Sequence, residues 1–272
     1  NFKIVNYALY IYALMIKFSH RLFILKAFLF GLFQLANASD TYEIPNLEEL
    51  VQNHYENNNG KSHFDDLSSL YATGRILHFQ DNETIERSFR IYKKRPDKYR
   101  AFYETNIGKK NVQLELIFDG SQATQIFSHG DTEVYREKLE GNALEEIRQE
   151  ARIEGPFLQV SEQPEYITIE GYDYIGDEKC VVLSVDKKSK YTFGKIWLSL
   201  DHYQEVKFER ETTNSEGISE IEEVYFKNYK KVQNVLLASR IDKNVEGKRR
   251  FSTFIDNFEV NYGLFDSLFK ID

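Results

Sequence analysis

Cysteine is almost missing from this chain: Cys180 is the only one in 272 residues. That excludes an internal disulfide, a Cys-x-x-Cys redox pair and a cysteine-built metal site. Within Lys-Cys-Val-Val-Leu it reads as a small apolar residue of a strand. Methionine and tryptophan occur once each, proline four times and glycine 14 times, too seldom for a disordered or low-complexity chain. The usual catalytic signatures are missing too. There is no Gly-x-Ser-x-Gly elbow, P-loop or His-Glu-x-x-His. Histidines 54, 63, 78, 129 and 202 are scattered without ligand spacing, so no metal or cofactor is expected. Carboxylate neighbours such as Glu222-Glu223 project to opposite faces of a strand and nominate no acid–base pair. Binding is a better expectation than catalysis.

An excess of base is also lacking. The net charge is −8, which argues against a phosphate-backbone partner and so against nucleic acid. Two short basic clusters, Lys93-Lys94-Arg95 and Lys248-Arg249-Arg250, read as solvated strand ends. No apolar run approaches the ~20 residues of a spanning helix. Residues 15–38 instead hold the three parts of a secretory signal in order: the bases Lys17 and Arg21, the apolar run Ala27–Leu35, and the small-x-small site Ala36-Asn37-Ala38. The expectation is translation from Met15, with residues 1–14 an upstream extension, and cleavage after Ala38 into the periplasm. Residues 1–38 carry four bases and no acid, so the mature part would stand at −12.

What the chain has in quantity is aromatic side chains, 21 Phe and 18 Tyr, which favour pleated, half-buried surfaces. Leu47, Leu50, Val51 and His54 or Tyr55 recur at helical spacing over Pro45–Asn59, and a helical piece or loop covers Ser62–Leu70. Strands follow at Tyr71–Gln80, Thr84–Lys94, from Tyr99, around Leu114, Leu116 and Phe118, and over Gln122–Ser128. Asp119-Gly120 marks a hairpin. Over Thr132–Arg152 apolar residues are sparse; Leu144, Ile147 and Ala151 make a narrow helical stripe. Gly141-Asn142 splits this segment into two expected helices, and Gly155-Pro156 stops it. Strands resume at Tyr166–Gly171, Lys179–Asp186, Tyr191–Leu200, Glu205–Thr212, Ile218–Tyr229, Val235–Asn244 and Arg249–Val260. Even spacing without crossover helices predicts one mainly β domain over residues 39–272. Its form is an antiparallel meander, curled or barrel-like. Its apolar concave face is either a ligand pocket or core filled by its own side chains; periodicity leaves both open.

Three segments resemble the LolA/LolB/RseB-like superfamily of lipoprotein-handling proteins. They are Phe89-Arg-Ile-Tyr-Lys-Lys-Arg-Pro-Asp-Lys-Tyr-Arg-Ala-Phe102, Leu116-Ile-Phe-Asp-Gly120, and Val260-Asn-Tyr-Gly-Leu-Phe-Asp-Ser-Leu-Phe269. In order they run through nearly the whole mature domain, and the last is similar to the closing segment of outer-membrane lipoprotein-sorting proteins. The resemblance implies a mainly β fold, a strongly curved antiparallel sheet forming an unclosed barrel with a few helices as plug or lid. It also implies a non-enzymatic carrier or chaperone for acyl chains of lipoproteins or other lipids, handing cargo between inner- and outer-membrane components. Phe89, Ile91, Tyr103, Leu114, Leu116, Phe118, Leu183 and Phe193 are the expected ligand-lining residues. It also gives Arg95, the arginine of Lys-Arg-Pro, a part in holding the lid. The acidic middle and the charged later strands depart from the short carriers. An RseB-like envelope sensor or protein-interaction module is therefore the alternative.

Overall fold

The computed structural model describes residues 44–80, 83–107, 110–213 and 217–271. The expected extension, signal and cleavage site lie outside the described residues, as does the turn at Asp81-Asn82.

Helix α1, Leu47–Asn57, starts where the sequence supplies a capping box: Asn46 accepts from the Glu49 amide at 3.0 Å, and Glu49 accepts from the Asn46 amide at 2.9 Å. Helix α2 spans Lys61–Asp65. The chain then meanders through β1 Ser69–Gln80, β2 Glu83–Lys94, β3 Lys98–Ile107, β4 Lys110–Phe118, β5 Ala123–His129 and β6 Thr132–Leu139. Helices α3, Gly141–Ala151, and α4, Pro156–Ser161, follow. The second meander is β7 Ile167–Ile175, β8 Glu178–Val185, β9 Lys195–Ser199, β10 Glu205–Thr213, β11 Ser219–Val232, β12 Val235–Val245 and β13 Lys248–Val260.

Three expectations need correction. Residues 132–139 form strand β6, not a helix. Both faces of β6 are solvent-exposed, so no apolar period marks it, and hydrogen bonding to β5 decides its form. Gly155-Pro156 starts a helix where a stop was expected, because proline at the first helical position loses no intrahelical bond. Tyr191–Gly194 is loop; β9 begins only at Lys195.

All thirteen strands join one antiparallel sheet in the order β6-β5-β4-β3-β2-β1-β13-β12-β11-β10-β9-β8-β7. The first meander walks outward from the centre and the second walks back in, so β1 meets β13 in the middle while β6 and β7 are the open edges. The barrel is unclosed. The sheet must nevertheless be strongly bent. β4 and β10 are seven strand spacings apart, ~34 Å if flat, whereas α3 is only about 16 Å long. Yet Glu146 of α3 lies 3.8 Å from Arg210 of β10, while Ile147 beside it packs among Tyr99, Ala101 and Phe118 of β3 and β4. The sheet is a trough, and α3 lies in it.

Candidate functional site

Strand alternation sorts the trough's inner face by residue parity. Phe89 is paired with Tyr103 and Ile91 with Ala101, then Tyr103 with Leu114, Ala101 with Leu116 and Tyr99 with Phe118. Six of the expected lining residues, Phe89, Ile91, Tyr103, Leu114, Leu116 and Phe118, thus form one patch across β2–β4. Leu183 belongs to the other half of the trough, paired with Ile196. Phe193 sits in the loop before β9, its ring 5.0 Å from that of Phe208. The structure therefore places the eight residues in two groups.

Each group has its own roof. Leu144, Ile147 and Ala151 of α3 pack with Ile91, Tyr99, Ala101, Tyr103, Leu116, Phe118, Ala123 and Leu139. Over the β8–β12 half, Phe157, Leu158 and Val160 of α4, Leu50 of α1, Phe64 of α2 and Leu67 close on Val181, Leu183, Ile196, Leu198, Phe208 and Val224. Phe118 and Leu183 are fully buried. Beneath the helices the described structure is packed. Two hollows lie elsewhere: about 410 Å³ on the outer face, bordered by Ile175, His202, Val206 and Tyr225, and about 280 Å³ bordered by Lys98, Asp119 and Phe269. In this conformation six of the eight expected lining residues, Ile91, Tyr103, Leu116, Phe118, Leu183 and Phe193, belong to the clusters packed under the roof helices. Past α3, toward the β1–β2 hairpin end, the inner face is less covered: Ile76, Ile85, Leu114, Phe127 and Phe251 are only half-buried.

The helices are held by polar contacts at the trough's rim. Arg95 donates from one guanidinium nitrogen to the carbonyl of Asp65, at the end of α2 (2.5 Å). Another nitrogen lies 2.9 Å from Glu154, in the link between α3 and α4. Its plane lies over the Phe64 ring. One strand-end arginine so ties two separate roof elements. Lys93 adds an ion pair with Glu150 of α3 at 3.1 Å, and Lys94 one with Asp266 at 2.8 Å. The cluster that reads as solvated strand ends is in fact pinned, because acids from three other segments converge on it. Farther on, Arg152 binds Glu162, which also accepts from the Tyr191 hydroxyl at 2.5 Å. The Arg152 guanidinium holds the Glu162 carboxyl down at about 2. At Gly155 an added Cβ would lie 2.4 Å from Glu205 Oε1, the oxygen that accepts from the Phe157 amide at 2.9 Å, so a side chain there would displace the Glu205 carboxylate.

No catalytic arrangement emerges. Cys180 is buried in β8, and burial pushes its thiol up to about 12. Inside the trough Tyr99 and Tyr103 share a hydroxyl contact of 3.1 Å, and burial raises Tyr103 to about 12; neither ionises near neutrality. Among the described residues no group of three His, Cys, Asp or Glu side chains could hold a metal. Glu222 and Glu223 do part to opposite faces, to Arg210 and Lys243 on one and Lys207 on the other. Sequence reasoning missed Glu146, Glu150, Glu154 and Arg210, since ion pairs between distant segments leave no periodic signal.

No family model and no curated protein matches the sequence. Solved structures do match. One is described as an outer membrane lipoprotein-sorting protein domain from Vibrio parahaemolyticus: 13% identity, TM-score 0.53, covering 82% of this chain and 97% of that one. Another is a DUF1329 family protein from Desulfovibrio piger, with 10% identity, TM-score 0.53, and coverage of 80% and 95%. At such identities the likeness is one of fold. This chain has the open, curved, LolA-like sheet of lipoprotein-sorting domains.

Proposed function

We propose that this protein is a periplasmic carrier that binds acyl chains of lipoproteins or other lipids in the trough, and that the conformation described, with the helices packed on the trough wall, is its closed form. The observation that carries the reading is the thinness of the roof over β2–β5. The apolar residues that α3 sets against that wall are Leu144, Ile147 and Ala151, with Arg148 over the Phe118 ring, while rim ion pairs hold the helix. Three side chains of that size are worth roughly 4–7 kcal/mol on burial, and each exposed or half-exposed ion pair at most about 1 kcal/mol. An acyl chain of about a dozen methylenes gains about 10 kcal/mol by entering the same wall, at ~0.8 kcal/mol per CH₂. The exchange is favourable by a narrow margin, as reversible loading requires. Ile91, Tyr103, Leu114, Leu116 and Phe118 would receive the chain first, Phe89 would floor the trough, and Leu183 and Phe193 would line it if α4 also lifted. Arg95 would latch the roof. It hydrogen-bonds the Asp65 carbonyl with one nitrogen while another ion-pairs with Glu154, two contacts at once that a lysine with a single charged nitrogen would not reproduce.

The test is delipidation followed by binding of a fluorescent fatty acid and of a diacylated lipopeptide, beside native mass spectrometry of freshly purified protein. Co-purified lipid and saturable rebinding are expected. Weaker binding by Ile91→Asp and Leu116→Asp would place the ligand in the trough. Failure of wild-type protein and of a latch-free Arg95→Ala variant to bind either ligand would end the carrier reading. In that event the interaction-module reading takes over. It is favoured by the unpaired edge of β6, where Val134 and Tyr135 stand exposed.

A further inference from the structure

On the outer face of the sheet, directly behind the trough, one cross-strand row reads Lys227, Arg240, Phe254, Arg75 over β11, β12, β13 and β1. Arg75 and Arg240 lie over the Phe254 ring, at 5.1 and 5.2 Å from its centre. Below the row Asp242 is completely buried, and three cations share it: Lys227 at 3.0 Å, Arg240 at 3.1 Å and Arg249 at 3.5 Å. Arg75 is exposed and has no acidic partner among the described residues. Counting also the exposed acids Asp256, two residues along β13, and Glu86, diagonal to Arg75 on β2, four cations face three carboxylates, a surplus of one positive charge on a chain of net −8.

Aromatic rings continue this surface. Tyr262, Tyr71 and Tyr92 stack at 4.8 and 4.9 Å, Phe102 follows at 6.4 Å, and Arg90 and Arg100 each sit over Phe102. Tyr262 and Phe265 are exposed, Phe265 by 81%. Rings with wet edges interleaved with arginines make the composition that settles at a bilayer's headgroup level. The shape agrees. β13 is seventh of the thirteen strands, so the row crosses the crown of the convex face, the part of a curved surface that first touches a plane.

We infer that the convex face, through Arg75, Lys227, Arg240, Arg249 and the rings of Phe254 and Phe265, docks the protein on an anionic lipid bilayer. The face is distinct from the trough, and the inference stands whether or not the trough carries acyl chains. Docking at the crown leaves the mouth and the roof helices on the far side, turned to the aqueous phase.

The experiment is co-sedimentation of the purified chain with phosphatidylcholine vesicles, with and without phosphatidylglycerol. Binding is expected only to the anionic vesicles and should fall as salt is raised. Arg75→Gln and Arg249→Gln should each weaken it about fivefold, whereas Lys188→Gln, an equal charge loss on the remote β8–β9 loop, should not. Unchanged thermal midpoints of these surface variants separate lost docking from lost folding. Equal binding to neutral vesicles, no binding to either, or Arg75→Gln behaving like Lys188→Gln would each overturn the inference. So would capture by heparin through the same arginines without vesicle binding, which would assign the patch to a soluble polyanion. Acyl uptake by the trough does not depend on vesicle charge, so its failure is visible separately in the fatty-acid assay.

Discussion

Gly74 shows how one residue sets the depth of the trough. The pairing of β1 with β13 slips between Thr73 and Gly74, and the Phe89 ring closes over the gap. A Cβ at Gly74 would stand 2.0 Å from the Phe254 carbonyl oxygen and 2.8 Å from the Phe89 ring. Gly74→Ala should cost about 2–3 kcal/mol as an overpacked core site, measured by urea unfolding; a loss under about 0.5 kcal/mol would contradict the close approach. His54 is buried against α4, donating from Nδ1 to the Tyr203 carbonyl at 2.7 Å. Burial lowers its pKa below 6.5, outweighing the nearby Glu205. The unfolded chain therefore takes up a proton first as pH falls, and stability should decline below about pH 6.5, flattening once the folded state also protonates. Unfolding midpoints at about pH 7 and pH 5 test this, and His54→Gln should lose that part of the slope. Gly74 was not legible in the sequence, since a glycine within a strand has many ordinary explanations; His54 stood, as an alternative to Tyr55, on the expected helical stripe, but its burial and its Tyr203 partner were not legible. Arg95 was legible, because Lys-Arg-Pro forms a motif, although its partners were not.

Among the elements, α3 was legible and β6 was not, for related reasons. Leu144, Ile147 and Ala151 keep a helical period because α3 has one face to bury. β6 buries neither face, and its backbone pairing with β5 leaves no trace in side-chain pattern. The ion pairs that hold α3 suggest how it moves. Arg95→Ala removes a hydrogen bond to the end of α2 and an ion pair with the link between α3 and α4. It should lower stability by about 1–3 kcal/mol. It should also speed amide hydrogen exchange in α2, α3 and residues 152–155 more than in β1 or β13. Uniform exchange changes across the sheet would mean that Arg95 supports the whole fold and does not latch its roof. Lys at this position should restore little, having no fork.

At the scale of the molecule the meander was readable from even strand spacing and scarce crossover helices, while its strong curvature and open edges were expected from the family resemblance. The packed state of the trough was not, because periodicity locates an apolar face without saying what covers it. A single sheet of thirteen strands, with β1 joined to β13 at its centre, should melt as one unit. Trp197, the sole tryptophan, reports on β9 in one half, while far-ultraviolet circular dichroism reports on all strands. Their denaturation curves should coincide; two separated transitions would show that the halves unfold independently along the β1–β13 seam.

The 27 residues between Leu139 and Ile167 link the two outermost strands of the sheet directly, although those strands stand at opposite rims. That stretch works as a bowstring as well as a stopper. However far the rims part, they cannot separate beyond the length this tether reaches once its helices uncoil. A protease cut within it should leave two halves still clasped at the keel but with nothing to limit their gape, whereas lengthening it by a flexible insert should widen the reach of the rims without touching a single residue of the wall.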